Sequence, residues 1–267
     1  MGFTLVEVLV ALGIIGVLLG ILVPALASLR SSAVKMEEMG AASQVIAAYI
    51  MRADDNHGRL MPGVGWTGVV LDANGRQIND ADFVDPPEFI GPSSRYPWRL
   101  APYLDYQFRS LFLNSQAHAL EAVEQDDYLA YVDYVSRYPS FGLNGFWVGG
   151  NSPEMLANPD LLLYNDSTVY SMTEANRPDR LLVFASSRSW DPDEGAEVEG
   201  GHTVCSPIDQ YVDGMTLDCE GVVSFRHGGE AVCAFMDGHA AGKDENELLD
   251  MRYWSNDATR PDWPQDP

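Results

Sequence analysis

The sequence predicts an α+β protein: one long N-terminal helix, membrane-spanning in its first half, packed on an antiparallel β-sheet with long loop insertions. Three observations predict it. Residues 3–23 form an almost unbroken apolar run, an apolar pattern of helical period continues behind it to Ile50, and the stretch VVSFRHGGEAVCAFMDGHAAGK at 222–243 contains two hairpin signals.

As a helix rising about 1.5 Å per residue, the apolar run spans roughly 30 Å, the hydrocarbon thickness of a bilayer. Glu7 is the only charge in residues 1–29. A carboxylate at such a depth costs on the order of 2.5–3.5 kcal/mol, which marks it as a functional residue. A signal peptide is one reading, with Ala25-Leu26-Ala27 as its small-x-small cleavage site. It is disfavoured because the run exceeds the usual 7–15 residues and no basic residue precedes it. A plain anchor accounts for the length and leaves Glu7 without a role.

Behind the run, Leu22, Leu26, Leu29, Ala33, Met36, Gly40, Ser43, Ala47 and Ile50 recur at alternating spacings of four and three. They predict the buried face of an amphipathic helix, with Arg30, Lys35, Glu37 and Glu38 largely off the stripe. Pro24 removes a helix hydrogen bond and predicts a kink or a local melt. The run Ala53-Asp54-Asp55-Asn56-His57-Gly58 ends the helix.

The chain has a net charge of −23, of which about −22 lies beyond residue 29. So acidic a body repels phosphate backbones and argues against nucleic-acid binding, while it attracts cations such as calcium. Asp191, Asp193 and Glu197 are candidate calcium ligands, although the stretch lacks the EF-hand pattern and an acidic solvated loop is the simpler reading. The three cysteines show no C-x-x-C spacing. In an oxidising compartment Cys205 and Cys219 could close a disulfide, leaving Cys233 a buried thiol.

From Asp54 to about Pro139 the chain reads as long loops around short elements, with a possible helical stretch at 107–135. Ser140–Trp147 has the turn residues of a strand-loop-strand unit, and Arg180–Ala185 reads as a buried strand. In 221–243, Gly228-Gly229 and Asp237-Gly238 predict a three-stranded meander of about 221–227, 230–236 and 239–243. That register sets Phe225 opposite Val232, Val223 opposite Ala234 and Met236 opposite His239, and separates His227 from His239 by the length of the middle strand. The two histidines then cannot share a metal, and both are expected to make strand-end or turn hydrogen bonds. No nucleophile elbow, P-loop or zinc-protease pattern occurs, so an enzyme is not expected.

Gly2-Phe3-Thr4-Leu5-Val6-Glu7, followed by an apolar helix with Pro24 near its end, resembles the processing and methylation signature of type IV pilins and type II secretion pseudopilins. The resemblance implies a prepilin peptidase that cuts after Gly2 and methylates Phe3, with residues 1–2 as leader remnant. It divides the chain into a transmembrane and filament-core helix at 3–29, its amphipathic continuation at 30–54, and an extracytoplasmic pilin-like body at 55–267 that includes the meander. Glu7, fifth after the cut, would pair with the Phe3 amine of a neighbouring subunit, so that the expense of burying a lone carboxylate sets the register of assembly. His227, nine intervening residues and Asp237-Gly238 match the H-x9-DG motif of a pilin-like family with large periplasmic bodies, as do the Asp54-Asp55-Asn56, Phe141–Asn144 and Arg252–Trp254 stretches.

These resemblances imply a filament subunit, a single-pass inner-membrane precursor with a periplasmic body that assembles with itself or related pilins and reaches the cell surface. No cofactor is required. The alternative is a membrane-anchored or secreted periplasmic ligand-binding protein that holds a glycan or peptide on Trp66, Tyr96, Trp98, Tyr103 and Tyr106. Exposed aromatics in a cleft would favour it, and buried ones would not.

Overall fold

The computed structural model describes residues 4–63, 68–83, 91–113, 115–150, 167–191, 195–207 and 221–263. Gly2, Phe3, Trp66, Asp193 and Cys219, all named above, lie outside them. The protein is α+β: the long helix α1 (Leu5–Asp55), short helices, and an antiparallel sheet. It divides into two units, Met1–Glu37 and Glu38–Pro267.

Within the first unit, α1 is exposed and apolar, with a mean hydropathy of 2.8 over its best window and none of that window buried. It is long and apolar enough to cross a membrane. Helix α1 runs unbroken through Pro24, so the expected local melt does not occur. Pro24 still costs the helix one hydrogen bond, and the turns on either side keep it continuous. At the other end the helix stops where expected: His57 and Gly58 take positive φ of 61° and 79°, and the Gly58 N–H caps the Ala53 carbonyl at 2.8 Å.

Most of the expected buried stripe is exposed, and of its members beyond Leu29, Ile50 packs half-buried against the core. Met36, Gly40, Ser43 and Ala47 face outward, whereas Glu38, Ala41, Ala42, Val45, Ile46, Ala48, Tyr49 and Ala53 are buried. Both faces carry a heptad-like repeat, and the one with Val45, Ile46 and Tyr49 removes more apolar area from water.

The second unit is built on β4 (Leu182–Asp191), the predicted buried strand extended by six residues beyond Ala185. Its first half pairs with β3 (Phe141–Leu143) and β7 (Glu230–Phe235); its second half pairs with β5 (Ala196–Glu199) and β6 (Gly221–Val223). Strand β8 (Ala240–Asp244) pairs with β7, giving six strands. A register shift between Leu182 and Phe184 turns both Val183 and Phe184 toward the α1 side. There Phe184 meets the Tyr49 ring edge-on at 5.5 Å and the Tyr96 ring at 5.1 Å. Leu182, Ala185, Cys233 and Phe235 face the opposite layer with Leu248, Met251 and Trp254.

A two-stranded hairpin, β1 (Val70–Leu71) and β2 (Gln77–Ile78), and helices α2 (Tyr96–Leu100), α3 (Ser115–Asp126) and α4 (Tyr128–Arg137) fill the region expected to be loops around short elements. Helices α3 and α4 occupy much of the 107–135 stretch and continue past it. Only the first strand of the expected strand-loop-strand at 140–147 forms, because its end is pinned by Asn144, whose Nδ2 donates to the Leu182 and Trp254 carbonyls at 2.9 and 3.1 Å.

The meander is corrected in two ways. His227 and Glu230 do exchange main-chain bonds across Gly228-Gly229. Strand β6, however, leaves for β4, because β7 already has β4 and β8 on its two edges. Val223 therefore lies with the Phe235 layer and is not paired with Ala234. At Asp237-Gly238 the loop is one residue longer than predicted: Ala234 pairs with Ala240, and the Phe235 N–H donates to His239 O at 3.0 Å. Gly238 supplies the positive φ, 94°, that ends such a three-residue loop.

Candidate functional site

The sequence singled out Glu7 as the carboxylate that needs a partner, and the structure adds a second, Glu38. Glu38 is on α1, 1% exposed, and sits opposite the centre of β4. Arg226 Nη2 donates to Glu38 Oε1 at 2.7 Å and its Nε to Oε2 at 3.0 Å, while Ser186 Oγ donates to Oε1 at 2.5 Å. His227 Nε2 lies 2.6 Å from Oε2. Since a carboxylate only accepts, His227 is the donor. Arg226 reaches onward from Nη1 to Glu199 Oε2 at 2.7 Å and the Ser187 carbonyl at 3.1 Å, and from Nη2 to the Ser140 carbonyl at 2.9 Å. One guanidinium thus joins the helix, the start of β3, the middle of β4, the end of β5 and the β6–β7 connection.

Burial acts to raise the Glu38 carboxyl, but the Arg226 bond and charge, with the Ser186 and His227 bonds, outweigh it and hold the group below its ordinary 4.5. Arg226 is burdened by the same burial and raised by Glu38 and Glu199. A carboxyl depressed in the fold stabilises above its unfolded value and loses that contribution as pH falls through the folded one. The stability gap between the wild-type chain and Glu38→Gln is therefore expected to be full above about pH 4.5 and to close below it. Urea midpoints measured from pH 7 to pH 3 check this, and a gap that stays constant contradicts it.

At the head of α1, Glu7 has a partner within its own chain. Thr4 donates to Glu7 Oε2 from both its main-chain N–H and its hydroxyl at 2.8 Å, and the Glu7 N–H returns to Thr4 Oγ1 at 3.3 Å. This is a capping box, readable in advance as Thr-x-x-Glu before an apolar run. Both acceptor bonds use Oε2, so Oε1 takes no hydrogen bond among the described residues.

The H-x9-DG residues do structural work at two places. His227 binds Glu38, and the Asp237 carboxylate Oδ1 accepts from the His239 N–H at 3.1 Å and lies 2.6 Å from Nδ1. No group of three or more histidine, cysteine or acidic side chains able to hold a metal occurs among the described residues. Of the calcium candidates, Asp191 accepts from the Tyr138 hydroxyl at 2.9 Å and Glu197 pairs with Arg188 at 2.7 Å. Cys205 is disulfide-bonded and Cys233 is a free, buried thiol.

Tyr96 and Trp98 are core residues, bonded through their polar atoms to the Phe141 carbonyl at 2.6 Å and the Val132 carbonyl at 2.9 Å. Tyr103 and Tyr106 are half-buried against the same core. Comparison with family models, with curated proteins and with solved structures finds no match to this chain.

Sequence reasoning missed Glu38 and Arg226. Glu38 looked like a solvated charge, and its partner lies 188 residues away, beyond the reach of any periodicity.

Proposed function

We propose that this chain is a structural subunit of a type IV pilus-like or type II secretion pseudopilus-like filament, assembled through its N-terminal helix after prepilin peptidase processing. The observation that carries the reading is the fully exposed apolar length of α1 with a single carboxylate, Glu7, in its first turn. An exposed apolar surface of this extent needs a cover, first a bilayer and then other copies of the same helix. Its work is assembly, not catalysis.

The precursor sits in the inner membrane with its body in the periplasm, and the filament forms from copies of this chain or related pilins. The Glu38–Arg226–His227 cluster supports this role by pinning the lower half of α1 to the sheet. The body's acidity leaves nucleic acid out of the scheme. The ligand-binding alternative draws no support from Tyr96 and Trp98, which are packed inside.

Mass spectrometry of the native protein tests the processing step. The expected N-terminus is an N-methylated Phe3. An N-terminus at Ser28 would instead establish signal-peptidase secretion and remove the basis of the proposal.

A further inference from the structure

We infer that the groove beside the β4–β5 pair carries a binding site for a guanidinium group, of the kind an arginine side chain presents. This goes beyond the filament reading and does not depend on it. The groove has a volume of about 340 Å³, and the side chains lining it include Arg188, Glu197, Glu199, Ser224, Phe225 and Arg226. That volume is within the usual range for small-molecule sites.

The strand register explains why these charges meet. Side chains two apart on a strand point the same way, so Arg188 and Trp190 of β4 share a face. Arg188 stands opposite Glu199 and Trp190 opposite Glu197, and such cross-strand pairs bring their Cβ atoms to about 4.5–5.5 Å. Arg188 Nη1 reaches diagonally to Glu197 Oε1 at 2.7 Å. Glu199 turns to the other side, where its Oε2 accepts from Arg226 Nη1 at 2.7 Å and from the Ser224 hydroxyl at 3.1 Å. Carboxylates and guanidiniums therefore alternate in the order Glu38, Arg226, Glu199, Arg188, Glu197. The inner end of this series, Glu38, is sealed in the protein, and the outer end is the Glu197 carboxylate, 53% exposed at its side chain.

The next place in that alternation is one for a cation. Trp190, the cross-strand neighbour of Glu197, is 63% exposed. An indole face is the best of the aromatic surfaces for a cation. A guanidinium suits both neighbours at once, since its plane stacks on the ring while its fork meets the carboxylate. A hard metal ion is a poorer occupant, because it asks for more oxygen ligands than the one open carboxylate supplies.

Saturation-transfer NMR titrations of the full chain in detergent micelles test the site. The probes are N-acetyl-argininamide and N-acetyl-citrullinamide, which has the same shape without the charge. The wild type is expected to bind the arginine amide about five- to tenfold more tightly than the citrulline amide. Glu197→Gln and Trp190→Ala are each expected to weaken that binding about three- to fivefold. Both side chains are exposed, so the urea midpoints of the variants should stay at the wild-type value. Glu121→Gln, altering an exposed carboxylate on α3, should bind as the wild type does, which removes the general attraction of an acidic chain for cations. Free L-arginine bound as tightly as the capped amide assigns the site to a free ligand, and the capped amide bound more tightly assigns it to an arginine side chain of a protein. Equal binding of the arginine and citrulline amides, or wild-type affinity in either Glu197→Gln or Trp190→Ala, overturns the site.

Discussion

Replacing Glu38 by glutamine is expected to lower the unfolding free energy by about 3 kcal/mol, the low end for breaking a buried pair, because it leaves the Arg226 guanidinium with only the half-exposed Glu199 as counterion. Arg226 is 13% exposed at its side chain and Glu38 0%, so water cannot take the place of the lost charge. The double variant Glu38→Met/Arg226→Met is expected to recover most of the loss, since an apolar pair of similar volume is often neutral relative to a buried ion pair. Urea unfolding of the three variants in detergent micelles measures both effects. A Glu38→Gln loss under about 1 kcal/mol would place the cluster among ordinary surface pairs.

Glu7→Gln is expected to abolish filament formation while leaving insertion and the helix start intact. Glutamine serves the capping box as glutamate does, so the Thr4 bonds survive the change. Only the charge is lost, and with it the attraction for the Phe3 amine of a neighbouring copy. Removing one partner of a buried ion pair costs about 3–5 kcal/mol, which lowers assembly by roughly 100-fold or more. Thr4→Ala makes the opposite cut, weakening the cap by about 0.5–2 kcal/mol while keeping the carboxylate. Filaments from Thr4→Ala but not from Glu7→Gln are the expected pattern. Filament loss in Thr4→Ala and normal filaments in Glu7→Gln would reduce Glu7 to a capping residue.

The fold class, the span and end of α1, the buried strand after Pro178 and the hairpin at Asp237-Gly238 were all readable from the chain, because each rests on a local rule. Periodicity gives the helix, and glycine at positive φ gives the turns. What escaped depends on pairing over long separations. Helix α1 has apolar repeats on two faces, and choosing between them requires knowing that Phe184, Val232 and Ala234 lie opposite Val45, Ile46 and Tyr49 in one core.

The same limit hid the cluster. Glu38 is a surface charge by every local measure, until Arg226 and His227 arrive from nearly the other end of the chain. Strand β6 was misplaced for a related reason, since Gly228-Gly229 does make its turn but cannot show that both edges of β7 are already taken. The capping box of Thr4 and Glu7 was local and readable, and was overshadowed by the membrane cost of the charge.

Electron microscopy of filaments from cells producing this chain tests the central claim most directly. The account predicts filaments whose density is traced by this sequence, with α1 in the core and the Glu7 carboxylate beside the Phe3 amine of a neighbouring copy. A native protein recovered only as dispersed single copies, with no filament containing this chain, would contradict it.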